Sequence, residues 1–203
     1  MTSRYAQIAF TDTVRRHQSA HGSARGYDRM AAAGPCVADR LGPDEAQFIA
    51  ERDSVYLASV SETGWPYIQH RGGPRGFLRV LGPDTVAFAD YRGNKQYITT
   101  GNLDHNDRIA LFLMDYQNRA RLKLFGRARA VPAGADPELL AAVRDEEYPG
   151  EVERIVVISV EAFDWNCSQH LVPRFDRETV RAAMADLVRE NAELKAELAR
   201  RPR

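Results

Sequence analysis

Between Ser54 and Phe163 the chain repeats one pattern: short runs rich in β-branched and aromatic residues, separated by clusters of glycine, proline, aspartate and asparagine. This predicts strands joined by turns. SVYLASV (54–60) is apolar on both alternating faces, SETG (61–64) is a turn, and WPYIQHR (65–71) returns as the second arm of a hairpin. GFLRVL (76–81) and TVAFAD (85–90) flank Gly82, Pro83 and Asp84 as a second hairpin. After the loop YRGNK (91–95), residues 96–106 predict a short helix that stops near Gly101. RIALFLMD (108–115) and RARLKLFGRARAV (119–131) form a third pair around Tyr116, Gln117 and Asn118. In its second arm Arg119, Arg121, Lys123 and Phe125 share one face, and Ala120, Leu122 and Leu124 share the other. A helix over 137–147 and a last strand over 154–163 bring the total to about seven strands with few helices between them. That balance predicts a mainly β fold, a β-barrel with flanking helices, over a doubly wound α/β sheet.

The flanks differ. Residues 1–43 mix short helical patches with Gly22, Gly26, Gly34 and Pro35, and predict an extended arm with one or two short helices. Pro43 opens a helix that ends near Arg52, with Asp44 and Glu45 in its first turn and Phe48 and Ile49 on its apolar side. Residues 44–175 form the barrel domain and residues 176–203 a final helix. In that helix Val180, Met184, Leu187, Asn191, Leu194 and Leu198 follow spacings of four and three, with leucines at two successive d positions and asparagine at an a position. The pattern is that of a dimerising coiled-coil seam; the alternative is an amphipathic helix packed on its own barrel. Arg200, Arg201 and Arg203 suit its C-terminal end.

Composition narrows the function. Of 203 residues 44% are hydrophobic and 28% charged, the balance of a chain that folds. Lysine plus arginine equals aspartate plus glutamate at 28 each, so no global field draws in nucleic acid or an anionic membrane. The two cysteines, Cys36 and Cys167, are far apart and lack the companions of a zinc site, which predicts no metal and a reducing, cytoplasmic setting. Neither a signal-peptide core nor an apolar run of about 18 residues is present, so no membrane span is expected.

Two stretches carry candidate chemistry. WPYIQHRGGPRGF (65–77) sets Arg71 and Arg75 around a Gly-Gly-Pro bend, where glycine lets a flat anionic ligand approach the backbone. The alternative is a wide hairpin connection with solvated arginines. DWNCSQHLVPRF (164–175) places Trp165, Asn166, Cys167, Gln169 and His170 together at a strand end; the alternative is a structural corner with a core tryptophan, a buried cysteine and a hydrogen-bonded histidine. Neither GxxxxGK[ST] nor GxGxxG occurs, so a phosphate site has to be built from side chains. Arg71, Arg75, Asn94, Lys95 and Arg121 are available, Lys95 best placed beside a helix N-terminus.

These segments in this order, from SVYLASVSETGWPYIQHRGGPRGFLRVL through VAFADYRGNK, RIALFLMD and RLKLFGRARAV to DWNCSQHLVPRF, resemble the pyridoxamine 5'-phosphate oxidase-like family of FMN-binding split barrels over about residues 44–175. The resemblance implies a split β-barrel, a homodimer, and an FMN in each of two clefts at the subunit interface. It implies that the segment from His70 and Arg71 through Gly73, Pro74 and Arg75 supports the flavin ring and phosphate, and that Phe88 and Ala89 line the ring. Asn94 and Lys95 fall where an Arg-Lys pair commonly holds the phosphate, so the lysine is kept and the arginine replaced. Arg121 stands where a glutamine is typical, and Trp165 and Arg174 match the tryptophan and arginine that close over the isoalloxazine.

The function implied is an FMN-dependent oxidoreductase that moves electrons from a donor such as NAD(P)H to a small acceptor. His170, Cys167 and Gln169 are the candidates for the substrate-facing side. True pyridoxamine phosphate oxidases have an arginine and a histidine where this chain has His170 and Val172, which argues against authentic vitamin B6 oxidation. The alternatives are a flavin-binding sensor or carrier without turnover, and a reductase that uses the deazaflavin F420.

Overall fold

The computed structural model describes residues 3–32, 34 and 37–200, so Pro35, Cys36, Arg201 and Arg203 lie outside the described residues. The chain divides into two compact units, the first through residue 115 with 120–167, the second 116–119 with 168 onward.

The N-terminal segment is more ordered than its sequence predicts. It forms three helices, α1 (Arg4–Ala9), α2 (Asp12–Ala20) and α3 (Ala24–Ala31), because caps rather than a long apolar period define them. Ser3 Oγ accepts from the Ala6 amide and Thr11 Oγ1 from that of Val14, both at 3.4 Å. Arg15 of α2 pairs with Asp28 of α3. Tyr5 of α1 stacks on Phe125 with ring centroids 4.8 Å apart, and Ala6 is fully buried, so α1 is docked rather than an extended arm.

The helix α4 (Pro43–Ala50) forms as predicted, with the Glu45 carboxylate accepting from the Gly42 amide at 2.9 Å. The strands β1 (Ser54–Val60) and β2 (Pro66–Gly72) pair antiparallel from Ser54↔Gly72 to Val60↔Pro66. The next hairpin, β3 (Arg79–Gly82) and β4 (Thr85–Tyr91), starts later than residue 76. Gly76 bends with φ of 76° and drives Phe77 and Leu78 into the core, which takes them out of the strand. Next, α5 (Ile98–His105) runs through Gly101 instead of stopping there. Buried Thr99 donates to Gln69 at 2.8 Å and buried Asn102 to Ser59 at 2.9 Å, anchors that outweigh the roughly 1 kcal/mol cost of a helical glycine.

The third pair is β5 (Arg108–Asp115) and β6 (Ala120–Pro132); Arg119 stays in the turn with φ of 53°. The helix α6 (Pro137–Val143) ends four residues short of the predicted 147, because Asp145 captures the chain in a turn, accepting from the Glu147 amide at 3.0 Å. The last strand, β7 (Val152–Trp165), extends beyond both predicted ends, and α7 (Arg177–Arg200) follows in the second unit.

Among the described residues seven strands form one antiparallel sheet in the order β2-β1-β5-β6-β7-β4-β3. The sheet curls into a split β-barrel around one core, filled by Leu57, Phe88, Leu111, Leu113, Leu122, Leu124 and Ile158 from its strands and by Phe48 and Ile49 from α4. A smaller cluster on the outer face, with Ala89, Val143 and Ile155, seats α6. Both faces of the middle of β7 are therefore buried.

The bend that closes the barrel sits where β6 meets β7. There Gly126 pairs with Val160 and Phe125 with Ala162, leaving Glu161 as an extra residue in β7. A β-carbon at Gly126 would lie 2.6 Å from the Ser159 carbonyl oxygen and 2.9 Å from Ile158. Gly126→Ala is expected to lower unfolding free energy by about 1–3 kcal/mol in urea titrations. Gly134→Ala, which meets nothing within 4 Å, is expected to change it by less than about 0.5 kcal/mol.

Candidate functional site

The alternation of β2 builds one wall of a polar, charge-lined cleft. Tyr67, Gln69 and Arg71 share its half-buried face, while Ile68 and His70 point to the exposed one. Asp90 and Tyr91 at the end of β4, the loop 93–97, and Glu153 and Arg154 at the start of β7 supply the rest. Together they enclose a cavity of about 240 Å³.

Asp90 organises it. The sheet register places Asp90 directly opposite Arg154, and its side chain is only 5% exposed. One carboxylate oxygen accepts from Arg71 Nη1 at 2.5 Å and the other from Arg154 Nη1 at 2.9 Å. Arg71 Nε is buried and has no hydrogen-bond partner among the described residues. A buried guanidinium N–H without an acceptor is costly unless something else supplies one.

Arg154 also lies over the Tyr97 ring, 4.9 Å from its centroid, and pairs with Glu153 at 3.0 Å. Burial pushes its pKa down, but the hydrogen bond and charge of Asp90 and the charge of Glu153 raise it overall, so it remains a cation. Burial pushes Glu153 up, yet the hydrogen bond from Arg92 and the charges of Arg154 and Arg92 hold it below the ordinary glutamate range. The cleft thus sets three cations, Arg71, Lys95 and Arg154, against two carboxylates. It carries net positive charge and suits a phosphate-sized anion.

The loop before α5 is strained. Lys95 and Tyr97 both have left-handed backbones, with φ of 59° and 54°, a conformation that costs a non-glycine residue of order 1 kcal/mol or more. Asn94 Oδ1 accepts from the Gln96 amide at 3.2 Å and holds the loop's shape. Lys95 therefore enters the cleft from a bent loop three residues before the first residue of α5.

Of the residues singled out from sequence, Arg71, Asn94 and Lys95 are brought together here. His70, Phe88 and Ala89 border an adjoining recess of about 150 Å³ shared with Arg71 and Asp90. The Phe88 ring faces the core, 6.0 Å from Phe77, so it is the Phe88 backbone that borders the recess. Gly73 borders a shallow groove with His70 and Tyr148, and its missing side chain makes room for Phe77, whose Cβ would otherwise stand 2.8 Å away. The Pro74 carbonyl accepts from the Phe77 amide at 2.9 Å, and Arg75 is exposed and does not line the cleft.

A second group forms elsewhere on the sheet. Arg121 donates to the Cys167 carbonyl through Nε at 3.0 Å. Trp165 donates through Nε1 to Glu45 at 2.7 Å and meets Phe48 edge-on at 4.8 Å. Trp165 and Cys167 are both exposed, which sets aside the alternative of a buried structural corner. Trp165 lies eleven residues along β7 from Arg154, at most roughly 36 Å at a strand's rise, and neither it, Arg121 nor Cys167 lines the cleft. Gln169, His170 and Arg174 belong to the second unit. There His170 sits in an exposed turn with φ of 61°, and the Arg174 guanidinium lies 4.7 Å over the Tyr116 ring.

Sequence reasoning missed Asp90 and Arg154. The available signal was a charge of opposite sign at the end of each of two otherwise apolar strands, TVAFAD and RIVVISV. Among the described residues no group of three or more histidine, cysteine or acidic side chains could hold a metal, and no helix is long and apolar enough to cross a membrane.

A seven-stranded split barrel with a cationic cleft beside its β2 edge defines the class of protein. The family model for pyridoxamine 5'-phosphate oxidase matches residues 41–167, more than half of the chain, and the protein belongs to that family, which includes oxidoreductases. No curated protein matches it significantly. Similar solved structures include HupZ from Group A Streptococcus, 18% identical over 66% of this chain and 100% of that one, with a TM-score of 0.48. An FMN-binding protein from Syntrophomonas wolfei is 14% identical over 60% of this chain and 83% of that one, with a TM-score of 0.47. An F420 reductase is 19% identical over 61% and 98%, with a TM-score of 0.44. At these levels none of them bears on cofactor or reaction.

Removing the carboxylate between the two arginines leaves like charges facing each other in a covered site. Asp90→Ala is expected to cost about 3–5 kcal/mol of stability by denaturant titration. Asp186→Ala, which breaks the exposed pair with Arg189 on α7, is expected to cost less than about 1 kcal/mol.

Proposed function

We propose that the protein is an FMN-dependent oxidoreductase acting on a small organic substrate as a homodimer, with the cofactor at the subunit interface. The observation that carries this reading is the buried, unpartnered Arg71 Nε in a cleft that also presents Lys95 and Arg154. A phosphate dianion supplies the acceptor that Arg71 lacks and the negative charge that the three cations favour, so the donor set fits FMN.

Arg71, Lys95 and Arg154 hold the phosphate in this reading, with Asn94 shaping the loop beneath it. Arg154 replaces the arginine that the sequence lacks at Asn94. Asp90 fixes both guanidiniums and keeps the local charge from becoming too repulsive to fold. The segment from His70 to Gly73 and the backbone of Phe88 and Ala89 border the neighbouring recess, where the ring would lie.

The two-ended arrangement on β7 is what supports the dimer in this reading. Arg121, Trp165 and Arg174 serve the cleft of the other subunit, since within one chain Arg121 and Trp165 stand far from Arg154. The cleft's modest volume, below the roughly 300–1,000 Å³ of complete ligand pockets, suits a site finished by a second copy. When bound, FMN supplies two-electron redox chemistry between a donor such as NAD(P)H and an acceptor. His170 donates a hydrogen bond or proton to the substrate, with Cys167 and Gln169 beside it.

The purified protein is expected to show the absorption bands of oxidised flavin and to release FMN, identified by mass. Lys95→Ala and Arg154→Gln are each expected to weaken FMN binding by about 10- to 100-fold, the worth of one charge-assisted hydrogen bond. A colourless protein that takes up no added FMN would sink the proposal. Steady-state oxidation of NADH or NADPH with quinone, nitro or B6 acceptors separates an enzyme from a flavin carrier, and release of F420 instead of FMN would select the deazaflavin alternative.

A further inference from the structure

The helix α7 spans 24 residues, roughly 36 Å, and shows its apolar stripe to solvent. Val180 is 43% exposed, Met184 50%, Leu187 62% and Leu194 51%, and Asn191 is exposed between the last two. The Leu198 side chain lies outside the described residues. The helix is otherwise well made: Asp176 accepts from the Thr179 amide at 2.7 Å, Glu178 stands in the first turn and Arg200 in the last. A stripe of this kind on an otherwise polar helix calls for a partner.

We propose that α7 pairs with the α7 of a second copy of this chain as a parallel, in-register two-stranded coiled coil. The flanking positions identify the occupant. With Met184 and Asn191 at a and Val180, Leu187 and Leu194 at d, the e positions are Arg181, Val188 and Lys195, and the g positions are Ala183, Glu190 and Glu197. A parallel pair sets each g position against the next e position of its partner. Glu190 then faces the partner's Lys195, and Ala183 faces the partner's Val188, which widens the apolar seam.

An antiparallel pair instead sets e against e and g against g. In the antiparallel register that overlaps the seam fully, this sets basic Arg181 against the partner's Lys195 and acidic Glu190 against its own copy, so charge selects against it. Asn191 adds register. In a parallel, aligned pair the two asparagine amides meet and hydrogen-bond; in any shifted pair each is buried against an aliphatic side chain without a partner.

The pairing has a consequence for the segment that precedes it. Parallel helices start side by side, about 8–10 Å between axes, so the two copies of Asp176, the residue just before α7, lie close to the symmetry axis. This inference rests on the seam and its charges, independently of the cofactor reading.

The test is cross-linking of the full chain in a C36S/C167S background with a short bis-maleimide, read as doubled mass on a denaturing gel. Leu187→Cys and Leu194→Cys are each expected to convert largely to the doubled mass. Ala196→Cys, at the outer f position, is expected to stay single. Met184→Cys, at an a position, repeats the test without removing a leucine, and circular dichroism confirms that each variant is folded. An antiparallel pair has one centre and brings at most one position opposite itself. Cross-linking at only one of positions 187 and 194, at neither, or equally at 196 overturns the proposal.

Discussion

One buried carboxylate holds the candidate site of this molecule together. Asp90 lies opposite Arg154 in the register of β4 and β7, and Arg71 reaches it from β2. Two guanidiniums in a covered site repel each other unless an acid lies between them, and a covered acid is unstable without cations. Strands far apart in sequence are therefore tied at one corner of the barrel. Because the tie occupies Arg71 Nη1 and leaves its buried Nε unpaired, the same contact that fixes the fold leaves the site short of an acceptor. The strained loop of Lys95 and Tyr97 adds to this, since Tyr97 carries Arg154 on its ring while Lys95 brings further charge to the same space.

The sheet explains why the candidate site separates into two groups. Strands β6 and β7 are long and pair along nearly their whole length, from Pro132↔Arg154 at one end to Leu122↔Trp165 at the other. Arg154 belongs to the first end; Trp165, Arg121 and Cys167 belong to the second. A stiff antiparallel pair cannot fold back to join its own ends. The proposed homodimer resolves this by letting one subunit's far end complete the other's near end, and the exposed indole of Trp165 is available for that role. The apolar seam of α7 points to association as well, through different residues.

What the sequence reveals depends on how local the physics is. The barrel strands were readable because alternation and turn residues act within a few positions: β1 and β5 coincide with their predicted ranges. The failures arose where tertiary contacts override local preference. Gly101 reads as a helix stop, but Thr99 and Asn102 bolt α5 to the sheet on either side of it. Phe77 and Leu78 read as strand, but the bend at Gly76 makes them core plugs. The site shows the same division. Arg71, Asn94 and Lys95 stand out as a basic cluster beside glycines, whereas Asp90 and Arg154 are single charges ending apolar strands, meaningful only once the register sets them face to face. Whether Arg71 or Arg75 enters the cleft is likewise decided by strand alternation and the Gly-Gly-Pro bend together.

The central claim is that the Arg71, Lys95 and Arg154 cleft recognises a phosphate carried by a flavin. The most direct measurement compares the affinity of the apoprotein for FMN with its affinity for riboflavin, which has the same ring and no phosphate. The account predicts that FMN binds at least about 100-fold more tightly, as expected for two or more charge-assisted hydrogen bonds to the phosphate. Equal affinities for the two flavins would contradict it.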